Sequence, residues 1–435
     1  MKKHLLTAAK LSAAYIMTLL ILWGLLVLTS MIPNEKIGEN MLESAWYFSG
    51  RQPFETTESG RLCSTSDNYA DAILLNIMWN IKNEDPFISS LDTKYYDGGE
   101  QGVNYGFYRT LYGDSPNVDY TRYWHGSVIF LRPLMLVTDI VGIKAAGLGA
   151  VLILLAVNIA LLIRKKHYHI AAGLAFAMVC VQIWNIGLSL EYIPVFLVCL
   201  GICPLFILSA RSGDDRLMLL SVISGAMTAF FDFLTVETIT ILIPLIIVML
   251  IRYDDPEPPK LKENIAFSAK CLLGWGIAYL MTFLVKWTAA SAATGENKFI
   301  TAIFSAEERF VGEAESITGI RLVITSVLAN LSVIFGGSER VEAVNVIVGI
   351  AVTAAIFAGL LIITGKGRGK SDIIVPLGIL GAVPFLRFMV LGNHSYLHEF
   401  FTYRALSAAA LAMFGIIAVS ARKRSIVKRK QKKTG

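Results

Sequence analysis

Two aspartates four residues apart, Asp67 and Asp71, stand at the start of the stretch Ser66–Lys82. Ala70, Ile73, Leu74, Ile77, Met78 and Ile81 recur there at three- and four-residue steps, which predicts an amphipathic helix lying flat on a membrane surface, with Ser66 as N-cap. Asp67 then falls in the first turn, where stabilisation of the helix dipole explains it as well as chemistry does. Asp71 lies a turn further in, where the dipole fades, and is the stronger candidate for chemistry.

Guanidinium, imidazole and aromatic groups follow. Asn104–Tyr123 holds five tyrosines with Arg109 and Arg122, a pattern shared by sugar-binding surfaces and, more commonly, by headgroup-level anchors. The run Tyr120-Thr-Arg-Tyr-Trp-His-Gly126 contains Tyr123, Trp124 and His125. It leads into Ser127–Ile140, which reads as a membrane-skimming helix whose Arg132 needs a partner. Glu191, Asp232, Glu237 and Lys286 lie at the ends of apolar runs, and Arg387 lies within one, four residues before its end. His394, His398 and Arg404 sit within NHSYLHEFFTYR. Ionisable groups at membrane depth mark functional sites unless they pair with one another, as Arg387 would with Asp232 or Glu237. His394 and His398 share a helical face, but without an HExxH-type acid a role in phosphate hydrogen bonding or turn capping outranks a metal site. Neither GxSxG nor GxxxxGK(S/T) occurs.

The elements that must hold these groups are membrane spans. The chain has 435 residues, 55% hydrophobic and 17% charged, and its mean hydropathy is +0.59. A soluble domain is about 45–50% apolar and about 25% charged, so an all-α polytopic membrane protein is indicated. Ten spans are predicted: Leu11–Met31, Ala145–Ile163, Ile170–Leu188, Ile193–Leu208, Leu217–Phe233, Thr238–Ile251, Ile265–Val285, Val344–Ile363, Ile373–Leu391 and Ala405–Ala421. With both termini cytoplasmic, every inside segment is basic: Lys2, Lys3 and Lys10, Arg164–Lys166, Arg211–Arg216, Arg252–Lys262, Lys366–Lys370 and the tail 422–435. The net charge of +6 is thereby a topology signal and not a nucleic-acid signature.

The predicted organisation is an N-terminal anchor (1–31), an extracytoplasmic loop with juxtamembrane helices (32–144), a multi-helix domain (145–421) with a second outer loop (286–343), and the tail. Arg321–Phe335 is assigned to an interfacial helix, because one more span would place Lys366–Lys370 outside. Four cysteines fall in spans and Cys63 stands alone, so no disulfide framework is available.

Acids, cations and aromatics gathered on one face suit a polyprenyl-phosphate-linked sugar: apolar tail for the spans, phosphate for Arg or Lys, sugar ring for aromatics and carboxylates. The layout resembles the GT-C superfamily of polytopic glycosyltransferases, through its N-terminal span, large first outer loop with membrane-parallel helices and acids, and short-looped spans thereafter. YTRYWHG, FDFLT and NHSYLHEFFTYR have the look of family signatures. The resemblance implies sugar transfer, inverting or retaining, to a glycan or lipid acceptor at the outer face of the cell membrane. It implies a catalytic base at Asp71 or Asp67, with Glu43 third, and phosphate contacts at Arg122, Lys286, His398 and Arg404. Tyr123, Trp124, His125, Glu191, Asp232, Glu237, Arg387 and His394 are further cavity candidates. No compact DxD-like pair follows the first span, where Glu35, Glu39 and Glu43 are four apart, so no cofactor is assigned and a divalent metal stays open. The rival readings are a transporter or lipid flippase, a surface-polysaccharide polymerase or ligase, and a non-catalytic cell-envelope assembly protein. A transporter would place its unusual residues at mid-membrane in an internal repeat.

Overall fold

The computed structural model describes residues 2–57, 60–311, 317–364 and 370–421. The basic tail, residues 366–369 of one predicted inner turn and the side chains of Lys2 and Lys3 lie outside the described residues.

The first third of the chain runs α1 (Lys2–Ser30), α2 (Asn34–Ser49), β1 (Phe54–Thr56), β2 (Thr65–Asp67), α3 (Asn68–Trp79), α4 (Pro86–Leu91), β3 (Lys94–Tyr95), α5 (Gly102–Leu111), β4 (Val118–Asp119) and α6 (Val128–Leu134). Two antiparallel pairs, β1 with β2 and β3 with β4, are the only sheet among the described residues. Then follow α7 (Ile140–Arg164), α8 (Tyr168–Cys180), α9 (Ile193–Ser209), α10 (Asp214–Phe231), α11 (Ile239–Tyr253) and α12 (Leu261–Thr294). The last third holds α13 (Lys298–Val311), α14 (Gly319–Ile334), α15 (Ala343–Thr364), α16 (Ser371–Val390), α17 (Gly392–Leu397), α18 (Glu399–Thr402) and α19 (Leu406–Ala421).

Seven of the described helical stretches are long and apolar enough to cross a membrane: Leu5–Ser30, Ile140–Arg164, Leu190–Ser209, Leu261–Thr294, Ala343–Leu360, Ser371–Val390 and Glu399–Ala421. The protein is therefore an all-α membrane protein. The three other predicted spans also fall on helices, with reasons for their shortfall. The run Ile170–Leu188 breaks after Cys180, where Gln182 takes the left-handed conformation (φ 52°) and a 3-10 turn follows. α10 opens on Asp214 and Asp215. α11 is short, yet Ile239 through Ile251 are all buried, because it forms the axis of the bundle; a helix apolar on every side belongs inside.

Two large hydrophobic cores and two small clusters result among the described residues. One core joins α8, α9, α11, α16 and α19. The other core joins α1 to α2, α3, α5 and α6. The sequence places α3 flat on a surface, and the structure corrects this: Asp71 through Met78 are all buried, because α2 and α5 cover it. Its polar face is satisfied from within, with Asn76 bonded to Tyr96 O (2.9 Å), Tyr96 N (3.1 Å) and Thr110 Oγ1 (3.1 Å). The predicted skimming helix is only the single short α6. Its fully buried Arg132 donates to Ile32 O, Met78 O (2.6 Å) and Asn34 Oδ1 (2.7 Å), thereby capping the ends of α1 and α3.

The turns bearing Arg211 and Arg252 gather at one pole, tied by Arg211–Asp255, Arg252–Asp214 and His167–Asp254. The segments that lead into α9 and α11, with Glu191 and Phe233, and α17, which follows α16, lie at the opposite pole, where they border a cavity.

Candidate functional site

The cavity is a chamber of about 390 Å³ between α3, the 3-10 turn Leu190–Tyr192, α13 and α17. Asp67 ends β2 opposite Phe54 and caps α3, its Oδ1 accepting from Ala70 N at 2.7 Å. Its carboxyl also faces the chamber beside that of Glu191. Burial, reinforced by the nearby Asp71 carboxylate, pushes Asp67 up to about 7 against the pull of the Ala70 N–H.

Asp71 decides where Glu191 stands. Its Oδ1 accepts from Ser189 Oγ (2.7 Å) and Leu190 N (2.8 Å), and its Oδ2 meets Lys144 Nζ at 2.7 Å. The turn carrying Glu191 is thus bound to α3, and two carboxyl groups far apart in sequence meet.

Facing them are two guanidinium groups. Arg122 lies 3.9 Å from the Tyr120 ring and donates to Ser305 Oγ (3.1 Å), while Arg309 donates to Ser305 O (2.7 Å). One residue of α13 therefore holds both cations at the chamber edge. Imidazoles complete the wall. His125 is in the left-handed region (φ 54°) with Nε2 at 3.1 Å from Tyr120 O; His394 Nε2 lies 2.9 Å from Leu234 O; His398 stacks on Phe401. Burial holds His125 down at about 3 and, with Arg309, Arg340 and Arg387, holds His398 at about 4. Both rings are neutral at physiological pH.

Six lining atoms are buried without a hydrogen-bond partner among the described residues: Glu191 Oε1, Arg122 Nε, Arg309 Nε, His125 Nδ1, His398 Nδ1 and Asn393 Oδ1. Buried polar groups left open in one place mark a site for a polar ligand.

A second cavity of about 440 Å³, almost wholly apolar, adjoins the first and shares Arg122, Tyr123 and Arg309 with it. One wall is an aromatic ladder on α12, where Trp275, Tyr279, Phe283 and Trp287 recur every four residues with centroids 5.0, 5.2 and 6.1 Å apart. The other is α16, through Val383, Leu386 and Val390.

Of the predicted residues, Asp67, Arg122, Tyr123, His125, Glu191, His394 and His398 line the chamber. The others lie elsewhere. Asp71 is buried in its ion pair with Lys144. Lys286, expected at a phosphate, donates instead to Ser90 O (3.0 Å) and Leu91 O (2.8 Å) and so caps α4. Arg404 is buried between the Tyr192 and Tyr403 rings. Trp124 stacks on Phe230 and donates to Thr282 O. Asp232 caps the Asp232–Thr235 turn. Arg387 and Glu237 form the expected pair, bidentate at 2.8 and 3.0 Å, at the edge of the apolar cavity. Glu43 is exposed on α2, away from both cavities.

Arg309, Glu308 and Asn393 were not legible as site residues. The signal for Arg309 was the charged triplet Glu307-Glu308-Arg309 inside an amphipathic segment of the predicted second outer loop. Among the described residues no group of three or more His, Cys, Asp or Glu is placed to hold a metal ion. Comparison with known proteins finds no match to this chain among family models, curated proteins or solved structures.

Proposed function

We propose that the protein is a glycosyltransferase that moves a sugar from a polyprenyl-phosphate donor to an acceptor hydroxyl at the extracytoplasmic face of a cell membrane. The observation that carries this reading is the junction of a polar chamber with an apolar groove at Arg122 and Arg309. A donor of this class has the same three parts in the same order: sugar, phosphate, greasy tail. In this reading the chain crosses the membrane ten times, both termini are cytoplasmic, and the chamber opens to the outer leaflet.

The sugar occupies the chamber, against Tyr69 and Tyr120, and the phosphate lies between the two guanidinium groups, which stabilise the charge that grows on it as it leaves. The tail lies along the α12 ladder. Asp67 is the base: its carboxylate takes the proton of the acceptor hydroxyl as that oxygen bonds to the anomeric carbon. The bond from that carbon to the phosphate oxygen breaks, and the electron pair leaves with the phosphate. Glu191 accepts hydrogen bonds from sugar hydroxyls through its open Oε1.

The test is mass spectrometry of surface glycans and polyprenyl-linked sugars in a deletion strain complemented with wild type, Asp67→Asn or Arg309→Ala. The variants are expected to lose a glycan modification and accumulate its lipid-linked donor. If both variants, present at wild-type levels, restore every glycan, the reading is wrong.

A further inference from the structure

A third cavity, of about 450 Å³, lies between the end of α2 and α5 and belongs to neither the chamber nor the groove. It is bounded by Arg51, Gln52, Gln101, Asn104, Tyr105 and Tyr108. Asn104 Nδ2 is engaged by Arg51 O (3.0 Å), but its buried Oδ1 has no partner among the described residues. From the rim outward, Tyr105 and Tyr108 on α5 and Tyr112 at its C-cap form a row with centroids 6.4 and 4.8 Å apart, and Tyr112 is 64% exposed.

The row is held in place by backbone packing. A Cβ on Gly106 would lie 2.6 Å from Tyr96 O, so α5 sits against the Tyr96–Gly98 segment in a way only glycine permits. The one charged side chain lining the cleft, Arg51, pairs with Glu55 (2.9 Å), and Arg109 on α5 pairs with Asp114 (2.7 Å). The site therefore offers flat rings, amide groups and no net charge. A row of tilted ring faces beside amide groups matches the apolar faces and hydroxyl edges of sugar rings. None of residues 94–128 is a large exposed aliphatic, so no acyl-chain wedge stands beside the rings. Position agrees with this chemistry, since Pro53 lines the cleft and the next residue, Phe54, lines the chamber.

We propose that this cleft is a binding site for a neutral oligosaccharide, whose rings lie across Tyr105, Tyr108 and Tyr112. The site does not depend on the transfer reaction, so its test is separate from that of the chamber. The full-length protein in detergent is titrated with maltohexaose, cellohexaose, chitohexaose and mannohexaose, and binding is read by saturation-transfer NMR. At least one is expected to bind saturably. The Tyr105→Leu/Tyr108→Leu protein is expected to bind it at least ten-fold more weakly, while Tyr105→Phe/Tyr108→Phe, which keeps the ring faces, retains it. Asp67→Asn and Arg309→Ala are expected to bind as wild type does. If the Leu variant fails to fold, Tyr112→Ala, at an exposed position, is expected to weaken binding alone. The proposal is overturned if none of the four sugars saturates, if the ring-lacking variants bind as wild type does, or if fluorescence of Tyr112→Trp in nanodiscs is quenched by brominated acyl chains without sugar binding.

Discussion

Asp67 and Asp71 are one helical turn apart, equally buried and of the same chemistry, yet the structure uses them in opposite ways. Every oxygen of Asp71 is committed to Lys144, Ser189 or Leu190. Asp67 accepts from Ala70 N, shares a hydrogen bond with Glu191, and otherwise faces the chamber. The same contrast separates the Glu237–Arg387 pair from Arg122 and Arg309. A buried charge whose partners are complete holds the fold, and one whose partners stop at a cavity wall is free to meet a ligand.

The contrast can be broken most sharply at Asp67. Asp67→Asn is expected to lower the transfer rate by about 10²–10⁴-fold, the usual worth of a general base, with the melting temperature nearly unchanged. Asp71→Asn should do the reverse, costing about 3–5 kcal/mol of stability because the Lys144 ammonium is left buried and unpaired. Adding Lys144→Met to it is expected to recover part of that loss in thermal melts, since no isolated charge remains. If Asp71→Asn instead abolished transfer in a fully folded protein, the two roles would have to be exchanged.

The pH profile sharpens the comparison further. Asp67 is raised to about 7 by burial, so its basic form is scarce below that value. The rate should climb about tenfold per pH unit in the acid range and level off above about 7, and Asp67→Asn should flatten the climb. The smallest effect is expected at the neutral His398, where His398→Asn removes at most one hydrogen bond to the ligand and lowers kcat/KM by about 2–10-fold.

The apolar helices were legible because a long apolar run has few fates: each of the ten predicted runs overlaps a helix, and seven of those helices are long and apolar enough to cross a membrane. The environment of α3 was not. Its stripe was visible, but periodicity cannot tell that Asn76 will find partners in Tyr96 and Thr110 and so be buried with the rest. The site was legible in its residue types and less so in its members. Lys286 and Arg404 were expected at a phosphate through the family resemblance, and the backbone carbonyls that Lys286 donates to and the Tyr192 and Tyr403 rings that flank Arg404 are invisible in a sequence. Asp67 and Glu191 meet only because Asp71 ties two distant segments together, a link that spacing along the chain does not carry.

The chamber takes its walls from Phe54 at one end of the chain to Phe401 at the other. No nascent chain that stops before α17 and α18 has a closed chamber, however many of its spans are already in the bilayer. During its own synthesis the protein thus lacks the proposed site until almost the last helix has emerged, and a truncated product would occupy membrane without a complete chamber.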